Sequence, residues 1–525
     1  MGSETTSEGS PATMTRDGPV EDDLADPGRS SMPIAGGSGR SLVRRMVIYL
    51  PGSVVPAILA LVTSMVSTRV FSAAEFGMFS LAAIVVATPL KVVSTTWLVQ
   101  SVGKFLPPVA HQDGRRQVLD AVTLATVMIV GIQLALGTVG YVVGRQVLSE
   151  EWRGFVLPAL LFVVATSLFE VTTTVFAAEA RASAYTASKL ADSVLTLVLR
   201  LVLVSGLVSM DVTLMLWSVV ISNGVLVPLM WWRIGLASPV RAVGFARSPE
   251  TTRFARGFVG FGLPMTAWLL SSILLDVGDR WVINLLLGSG DVGIYDASYR
   301  LIAGVAALMV VPVTITVHPY VMSLGDSDDG RTGRVIGTVV DNLSVLAMVS
   351  VGLTFVLRED LALVLLGPEF REGSTIMPVV LAGVFLFNIG TFAHKPFEIL
   401  GRTRTMVVVA FGCAALNLAL CFALVPVLGY AGAAWATLAS YLVYTVVVGA
   451  LGRRLIPWHL DVRRVVREGA VVTSAFGAIE AIRWLTHPPY VVDLAGTALA
   501  SVVVAAVLVW RLVRRQSLGL QEVAA

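Results

Sequence analysis

Charged residues are scarce in this chain of 525 residues: they make up 14% of it, and the mean hydropathy is +0.80. A soluble domain carries about 25% charged residues, so a soluble globular fold is excluded for most of the chain. Cysteine is nearly absent. Cys413 and Cys421 are the only two, and eight helical residues would separate them by about 12 Å, too far for a disulfide. The five histidines are scattered, so no metal site and no cofactor is predicted.

Two functional signatures are also missing. The sequence contains no Walker A phosphate loop, which excludes an ATP-driven pump. The longest predicted loop on the outer side, residues 358–374, contains acidic residues but no nucleophile–base arrangement. We therefore predict no catalytic residues and expect that the chain is not an enzyme.

Long apolar runs are what the chain has in abundance. A spanning helix needs about 20 apolar residues, and fourteen stretches meet that requirement. The fifth and the thirteenth carry charges within the run. Their approximate bounds are 46–68, 78–103, 118–144, 154–178, 187–207, 212–232, 257–287, 293–322, 335–357, 375–399, 405–425, 430–451, 467–485 and 490–511. The sequence predicts an all-α polytopic membrane protein.

Basic residues indicate the orientation of these spans. With the N-terminus in the cytoplasm, 27 of the 38 Lys and Arg residues lie on the cytoplasmic side, six lie outside and five lie within spans. The positive-inside rule predicts this asymmetry, so we expect a plasma (inner) membrane protein with both termini cytoplasmic. Its basic inner surface would contact anionic membrane lipids, and no nucleic acid is needed to explain it.

The two halves of the chain share a weak repeat. Residues 75–79 (EFGMF) and 291–295 (DVGIY) both read acidic, apolar, Gly, apolar, aromatic, at an offset of 216. Trp217 and Trp435 match at an offset of 218. Because the offset covers six spans, the two halves would have the same orientation in the membrane. This predicts a parallel repeat of two pseudo-symmetric six-helix lobes, with two further helices at the C-terminus.

Several segments carry a family resemblance. They are Arg69 and Phe71 ahead of the first repeat motif, residues 275–280 (LDVGDR) with the turn at 293–299, and residues 417–434, which include Asn417-Leu418, Val425-Pro426 and a Gly-Ala-Ala run. The chain resembles the polysaccharide-transporter branch of the multidrug/oligosaccharidyl-lipid/polysaccharide exporter superfamily over roughly residues 44–515. The resemblance implies a flippase of the Wzx type for lipid-linked oligosaccharides, with two six-helix lobes around a central cavity. A polysaccharide polymerase and glycosyltransferases are candidate partners.

The predicted organisation follows from the spans and the repeat. The acidic, Gly- and Ser-rich start lacks an apolar run and predicts a disordered tail. The segments are a cytoplasmic tail (1–40), an N-terminal lobe (41–235), a cytoplasmic linker (236–256), a C-terminal lobe (257–452), an interfacial linker (453–466), two further helices (467–515) and a second cytoplasmic tail (516–525).

Ionisable residues inside spans are costly unless they face a bundle interior or a wet cavity. Lys91 and Arg200 place positive charge in the N-terminal lobe, and Arg280 and Arg300 place it in the C-terminal lobe. Guanidinium groups bind phosphate bidentately and stay charged when desolvated. These four cations are therefore predicted to contact the pyrophosphate of a polyprenyl-linked oligosaccharide.

Acidic residues near these cations have two interpretations. Asp276 or Asp279 is predicted to titrate and so to couple export to an ion gradient, while Asp296, Lys395 and Glu398 are candidate gate residues. The alternative is mutual neutralisation. Three pairs are four residues apart on one helix face: Asp276 with Arg280, Asp296 with Arg300, and His394 with Glu398.

Two other functions compete with a flippase. An ion-coupled drug or cation antiporter of the same superfamily would suit twelve spans and an acidic cavity, whereas this chain offers cations in both predicted lobes. A membrane enzyme that polymerises or ligates glycans would need a larger outer loop than residues 358–374 supply. The flippase interpretation accounts best for the residues.

Overall fold

The helices of the chain follow the predicted apolar runs. The computed structural model describes residues 51–109, 114–202, 211–236, 249–325 and 330–486, and scattered positions between 496 and 506; within these residues no strand occurs. The predicted tails, most of the linker 236–256 and most of the fourteenth span lie outside the described residues.

Thirteen long helical segments are described. The first six, the N-terminal group, are α1 (Pro51–Val70), α2 (Ala73–Phe105), α3 (Gly114–Val147), α4 (Glu150–Ala178), α5 (Ala182–Val202) and α6 (Leu214–Ile234). The C-terminal group comprises α7 (Pro249–Leu286), α8 (Ser289–Leu324), α9 (Arg331–Leu365), α10 (Met377–Ala393), α11 (Thr403–Leu428) and α12 (Tyr430–Arg453). A 3-10 segment, Pro368–Ile376, precedes α10 and a short helix, Lys395–Ile399, follows it. Last comes α13 (Val462–Thr486).

Nine of the described helices are long and apolar enough to cross a membrane, and Val54–Val70 and Phe254–Leu263 are shorter apolar helices. The all-α membrane fold is thereby confirmed. Helices α5 and α13, which correspond to the fifth and thirteenth predicted spans, are not among the nine. The total of fourteen stays a prediction.

Successive helices run in opposite directions, so their turns alternate between two faces of the bundle. We call the face with the turns at Ser72, Ser149 and Gly288 the Ser72 face. The opposite face, with the turns at residues 179–181, Gly325 and 400–402, is the Gly325 face.

Helix α2 begins with a capping box at the Ser72 face. The Ser72 hydroxyl oxygen accepts from the Glu75 amide at 3.3 Å, and the Glu75 carboxylate accepts from the Ser72 amide at 2.9 Å. This arrangement satisfies two amides that would otherwise lack a partner in the first turn. It fixes where α2 starts and therefore where the repeat motif lies.

The two glycines of the repeat motif lie where the helix groups cross. A Cβ atom at Gly77 would clash with the carbonyl oxygen of Ser289, and one at Gly293 would clash with the carbonyl oxygen of Ala73. The first turns of α2 and α8 therefore touch backbone to backbone in a reciprocal contact. We call this contact the glycine crossing. The repeat seen in the sequence thus marks a packing requirement at the Ser72 face.

Further contacts join the helix groups at both faces. At the Ser72 face, Glu369 accepts a hydrogen bond from the Ala73 amide at 2.8 Å. Near the Gly325 face, the Ser101 hydroxyl donates to the Phe258 carbonyl oxygen at 2.8 Å, and a Cβ at Gly262 would clash with the carbonyl of Trp97. Space between the groups is therefore bounded toward each face.

Helix α2 contains a π-helical segment, Leu81–Ala87, between two α-helical parts. Pro89 follows it and has no amide hydrogen, so the hydrogen bond to the carbonyl four residues earlier is missing. The Thr88 hydroxyl donates to the Ala83 carbonyl oxygen at 2.9 Å. π-Helical segments are rare and often occur at functional sites, and residues of this one line two cavities that are described below.

Substitution at the glycine crossing is expected to destabilise the fold. Gly293→Ala places a methyl group against backbone that cannot move aside as a side chain can, and overpacking of this kind costs about 1–3 kcal/mol. The measurement is thermal unfolding of the purified protein in detergent. Gly290→Ala is the matched control: it lies on the same turn of α8, where a Cβ would meet nothing within 4 Å. Equal unfolding temperatures for the two variants would show that the crossing does not constrain the structure.

Candidate functional site

A cavity of about 340 Å³ lies between the N-terminal and C-terminal groups. Apart from Leu61, helix α1 lines it with small and hydroxyl side chains, whereas α7 and α8 contribute charged and aromatic ones. The residues that matter for its chemistry are Thr63, Ser64, Ser67, Arg200, Asp276, Arg280, Tyr299 and Arg300. Because α1 presents residues no larger than threonine at these positions, room is left for the longer side chains opposite.

Arg280 is the most buried cation of the cavity wall, with 2% of its side chain exposed. Its Nε donates to Asp296 Oδ1 at 2.8 Å, and its Nη1 donates to Asp279 Oδ1 at 2.9 Å. Nη1 also donates to the backbone oxygen of Asp276 at 2.7 Å. Two carboxylates therefore compensate the charge of Arg280, and this makes its burial tolerable.

Asp296 links two arginines. It is fully buried, and its second oxygen accepts from Nε of Arg300, four residues further along α8. Arg300 is 31% exposed at the cavity and lies beside the rings of Phe76 and Phe79, at 5.7 and 5.3 Å from their centroids. Its Nη2 atom is buried and has no hydrogen-bond partner among the described residues. Arg300 thus retains a donor that a ligand can satisfy.

Arg200 differs from the other two arginines because its partners are neutral. Its Nε donates to the Ser218 hydroxyl at 2.9 Å, and its Nη2 lies 3.4 Å from the Met215 carbonyl oxygen. Among the described residues, no carboxylate forms an ion pair with it. Arg200 and Arg300 are close enough for their charges to repel one another. An anion between them would relieve that repulsion.

Asp276 is the acidic residue at the cavity surface. One of its oxygens accepts hydrogen bonds from the hydroxyls of Tyr299 and Tyr441, the latter at 3.2 Å. The spacing of Asp276 and Arg280 suggests a side-chain pair, but Arg280 turns to α8 instead and binds only the backbone of Asp276. The carboxylate is therefore held by neutral donors rather than by a cation.

The structure places the other predicted site residues elsewhere. Lys91 forms an ion pair with Glu170 at 2.7 Å and does not line the cavity. Asp279 is fully buried behind the wall, where it accepts from the hydroxyls of Tyr295 and Thr437. Asp296 also lies behind the wall. Of the nine predicted residues, the cavity brings together Arg200, Arg280, Arg300 and Asp276.

Lys395 and Glu398 lie in the short helix that follows α10, toward the Gly325 face. Glu398 accepts from Lys395 Nζ at 2.7 Å and lies 2.9 Å from His394 Nε2. The opposite nitrogen of His394 lies 2.8 Å from the Tyr444 hydroxyl. The contact between His394 and Glu398 that their spacing suggested is present, and a gating role for Lys395 and Glu398 stays a prediction.

Sequence reasoning missed the hydroxyl residues of α1. Thr63 and Ser67 are four residues apart and Ser64 lies next to Thr63, so all three can share one helix side. Ser64 Oγ is buried without a hydrogen-bond partner among the described residues. A polar stripe in an otherwise apolar first span was the available signal.

Comparisons with known proteins place the chain. The family model described as "Polysaccharide biosynthesis protein" matches residues 66–375. The chain belongs to this polysaccharide biosynthesis protein family. The resemblance stated from the sequence is thereby confirmed, and the protein is a multi-pass membrane protein of that family. No curated protein sequence matches it significantly.

Solved structures give the fold of this family member. It is similar to the lipid II flippase MurJ in an inward closed conformation, with a TM-score of 0.69 and 14% identity over 90% of this chain and 99% of that one. It is also similar to a MATE protein in the straight conformation (TM-score 0.53, 14% identity, covering 79% and 96%). A third match is a multidrug resistance MATE family transporter of the MOP superfamily in an inward-facing conformation (0.52, 15%, 81% and 96%). The chain therefore has a MurJ- and MATE-like transporter fold.

Removal of the Asp296 charge is expected to lower the free energy of unfolding of this protein strongly. Asp296→Asn leaves Arg300 without its carboxylate and Arg280 with only one, and breaking a buried ion pair costs about 3–5 kcal/mol. Urea or thermal unfolding in detergent measures the loss.

Asp291→Asn provides the control on the same helix. Asp291 is half-exposed in the first turn of α8, where a carboxylate contributes about 0.3–1 kcal/mol through the helix dipole. If both variants lost the same stability, Asp296 would not hold the two arginines together.

Proposed function

We propose that this protein moves a polyprenyl-(pyro)phosphate-linked oligosaccharide from the cytoplasmic to the outer leaflet, for the synthesis of a cell-surface polysaccharide. The observation that carries the proposal is the cavity between the helix groups. There Arg200 has no carboxylate partner and Arg300 Nη2 has no hydrogen-bond partner among the described residues. These two donors come from different helix groups and face one space.

A phosphate group suits these donors better than other ligands do. Guanidinium binds phosphate through paired N–H donors and stays charged when water is removed. The hydroxyls of Thr63, Ser64 and Ser67 on the opposite wall can donate to or accept from phosphate and sugar oxygens. A lipid-linked oligosaccharide supplies both kinds of oxygen.

A cationic passenger suits the cavity poorly. Three arginines line it and one carboxylate, Asp276, does, so a drug cation would meet like charges with little compensation. The MATE-like fold is shared with the antiporter alternative, but the lining residues favour an anion. No bond chemistry is required of any residue, so we propose a transporter rather than an enzyme.

Movement would follow alternating access. The helix groups touch near both faces, at the glycine crossing and at Ser101 with Phe258, and opening one contact at a time would expose the cavity to one leaflet. We propose that Lys395 and Glu398 act at the gate near the Gly325 face. Asp276 is better placed than Asp279 for ion coupling because it lines the cavity.

The Gly325 face is proposed to be cytoplasmic. Exposed arginines lie along it: Arg331, Arg334, Arg402, Arg404, Arg453 and Arg454. This agrees with the positive-inside rule and would put both termini in the cytoplasm of the inner membrane. Glycosyltransferases would then supply the substrate on that side, and a polymerase would consume the product on the other.

Arg200→Gln is expected to slow transport without unfolding the protein, because it breaks no ion pair. Loss of a charge-assisted hydrogen bond is worth about 1.5–3 kcal/mol, so flipping of a fluorescent lipid-linked oligosaccharide in proteoliposomes should fall roughly tenfold or more. Arg200→Lys keeps the positive charge but loses the paired N–H donors of the guanidinium group, and it should retain intermediate flipping activity.

Arg145→Gln serves as the control, because Arg145 is exposed and lies away from the cavity. Wild-type flipping by Arg200→Gln would remove the basis of the proposal. Transport of a drug cation in place of the lipid-linked oligosaccharide would establish the antiporter instead.

A further inference from the structure

A second cavity of about 410 Å³ lies within the N-terminal group, between α2, α3 and α4. We call it the α3 groove. Its walls are mostly aliphatic, with Leu136 and Leu160 among them, and Trp152 and Phe155 add aromatic rings. Its polar side-chain groups are those of Ser94 and Gln133 and the indole N–H of Trp152. It therefore differs in character from the charged cavity.

The α3 groove opens on the outer surface of the helix bundle. Leu136 is 66% exposed and Val86 is 52% exposed, and in a membrane protein such side chains meet lipid. Two of the lining residues on α3 are glycines with different surroundings: a Cβ at Gly137 would clash with the side chain of Leu160. A Cβ at Gly140 would meet nothing within 4 Å, so the groove is open there.

The groove runs along the half of the bundle next to the Ser72 face. It reaches from Leu148 and Trp152 near that face to Gln133 on α3, and the rise from residue 133 to residue 147 is about 21 Å. This exceeds the thickness of one leaflet's hydrocarbon, about 15 Å.

The inner end of the groove is polar. Gln133, which is 6% exposed, donates to the hydroxyls of Ser94 at 2.7 Å and Ser167 at 2.9 Å. Its own Oε1 is buried without a partner among the described residues. A hydrocarbon chain in the groove would therefore end at Gln133 and belong to a lipid of the Ser72-face leaflet.

The wall between the groove and the charged cavity is a single helix. Ile84 of α2 lines the cavity, while Ala82, Val86 and Ala87 line the groove. All four belong to the π-helical segment Leu81–Ala87. The groove and the charged cavity are thus separated by about one helix diameter, roughly 10 Å.

We propose that the α3 groove holds the polyisoprenoid tail of the lipid-linked substrate on the release side, while the phosphate end occupies the charged cavity. The inference rests on the proposed function. The bilayer's own lipid tails surround a polyisoprenoid chain as favourably as the aliphatic groove does. The groove therefore fixes the position of the substrate's tail more than it raises the binding affinity. A tail held in the groove stays beside helix α2, the wall that the phosphate headgroup must pass when it leaves the charged cavity.

Photolabelling tests this proposal on the full-length protein in phospholipid nanodiscs. Polyprenyl phosphate and phosphatidylglycerol, each with a diazirine on its tail, are supplied at equal mole fraction, and labelled peptides are identified by mass spectrometry. We expect polyprenyl phosphate to label residues 132–140 and 156–163 about fivefold more than phosphatidylglycerol does, which corresponds to about 1 kcal/mol.

Gly140→Leu fills the groove and should lower this labelling about fivefold and slow flipping by a similar factor. Gly131→Leu is the matched control. It lies on the same helix, also meets nothing within 4 Å, and is nine residues away, which is about half a turn around α3. It should leave labelling and flipping unchanged.

The outcomes separate this inference from the proposed function. Suppose that the wild-type protein flips the substrate and that Arg200→Gln slows flipping. If Gly140→Leu then flips the substrate at the wild-type rate, or if phosphatidylglycerol labels the groove as strongly as polyprenyl phosphate does, the groove is ordinary lipid-facing surface. If wild type flips no lipid-linked oligosaccharide, the proposed function itself fails. Leu136→Trp is a second groove-filling variant, used if Gly140→Leu does not fold, and must give the same loss.

Discussion

The charge balance around Asp296 is the interaction on which the centre of the molecule depends. One carboxylate joins Arg280 of α7 and Arg300 of α8, and none of the three could be buried alone at an acceptable free energy. The bridge fixes the two helices relative to one another at the level of the cavity. It also determines which donor atoms remain for a ligand, because it uses Nε of both arginines and leaves Arg300 Nη2 unbonded among the described residues.

The pattern of apolar runs was sufficient to predict the helices, since lipid requires long uninterrupted apolar segments with internally satisfied backbones. The convergence of Arg200, Arg280 and Arg300 also follows from the sequence, through helix depth and the assumption of a shared interior. The ion-pair partner of each charged side chain cannot be predicted in the same way. Arg280 pairs with Asp279 and with Asp296 of α8 rather than with the Asp276 carboxylate, and Lys91 pairs with Glu170 of α4. Both outcomes depend on how helices rotate against one another, which the spacing within one helix cannot reveal.

The repeat motif shows the same division. Its acidic–apolar–Gly–apolar–aromatic pattern identified corresponding positions in the two halves, but the reason for the glycines became visible only where Gly77 and Gly293 meet the backbone of the opposite helix. The groove beside α3 had no recognisable sequence signal, because glycine in a membrane helix, such as Gly140, is typical of ordinary helix packing. An opening in a surface depends on what neighbouring helices fail to fill.

The unbonded nitrogen of Arg300 has a consequence for the resting protein. The Arg300 side chain is 31% exposed at the cavity, so an anion bound there would gain a charge-assisted hydrogen bond, which is worth about 1.5–3 kcal/mol. Any anion that binds only the folded state also shifts the unfolding equilibrium, by about 2.7 kcal/mol at a hundred times its Kd. Under the proposed function, the protein would therefore unfold at a lower temperature when its substrate is scarce than when the substrate is abundant.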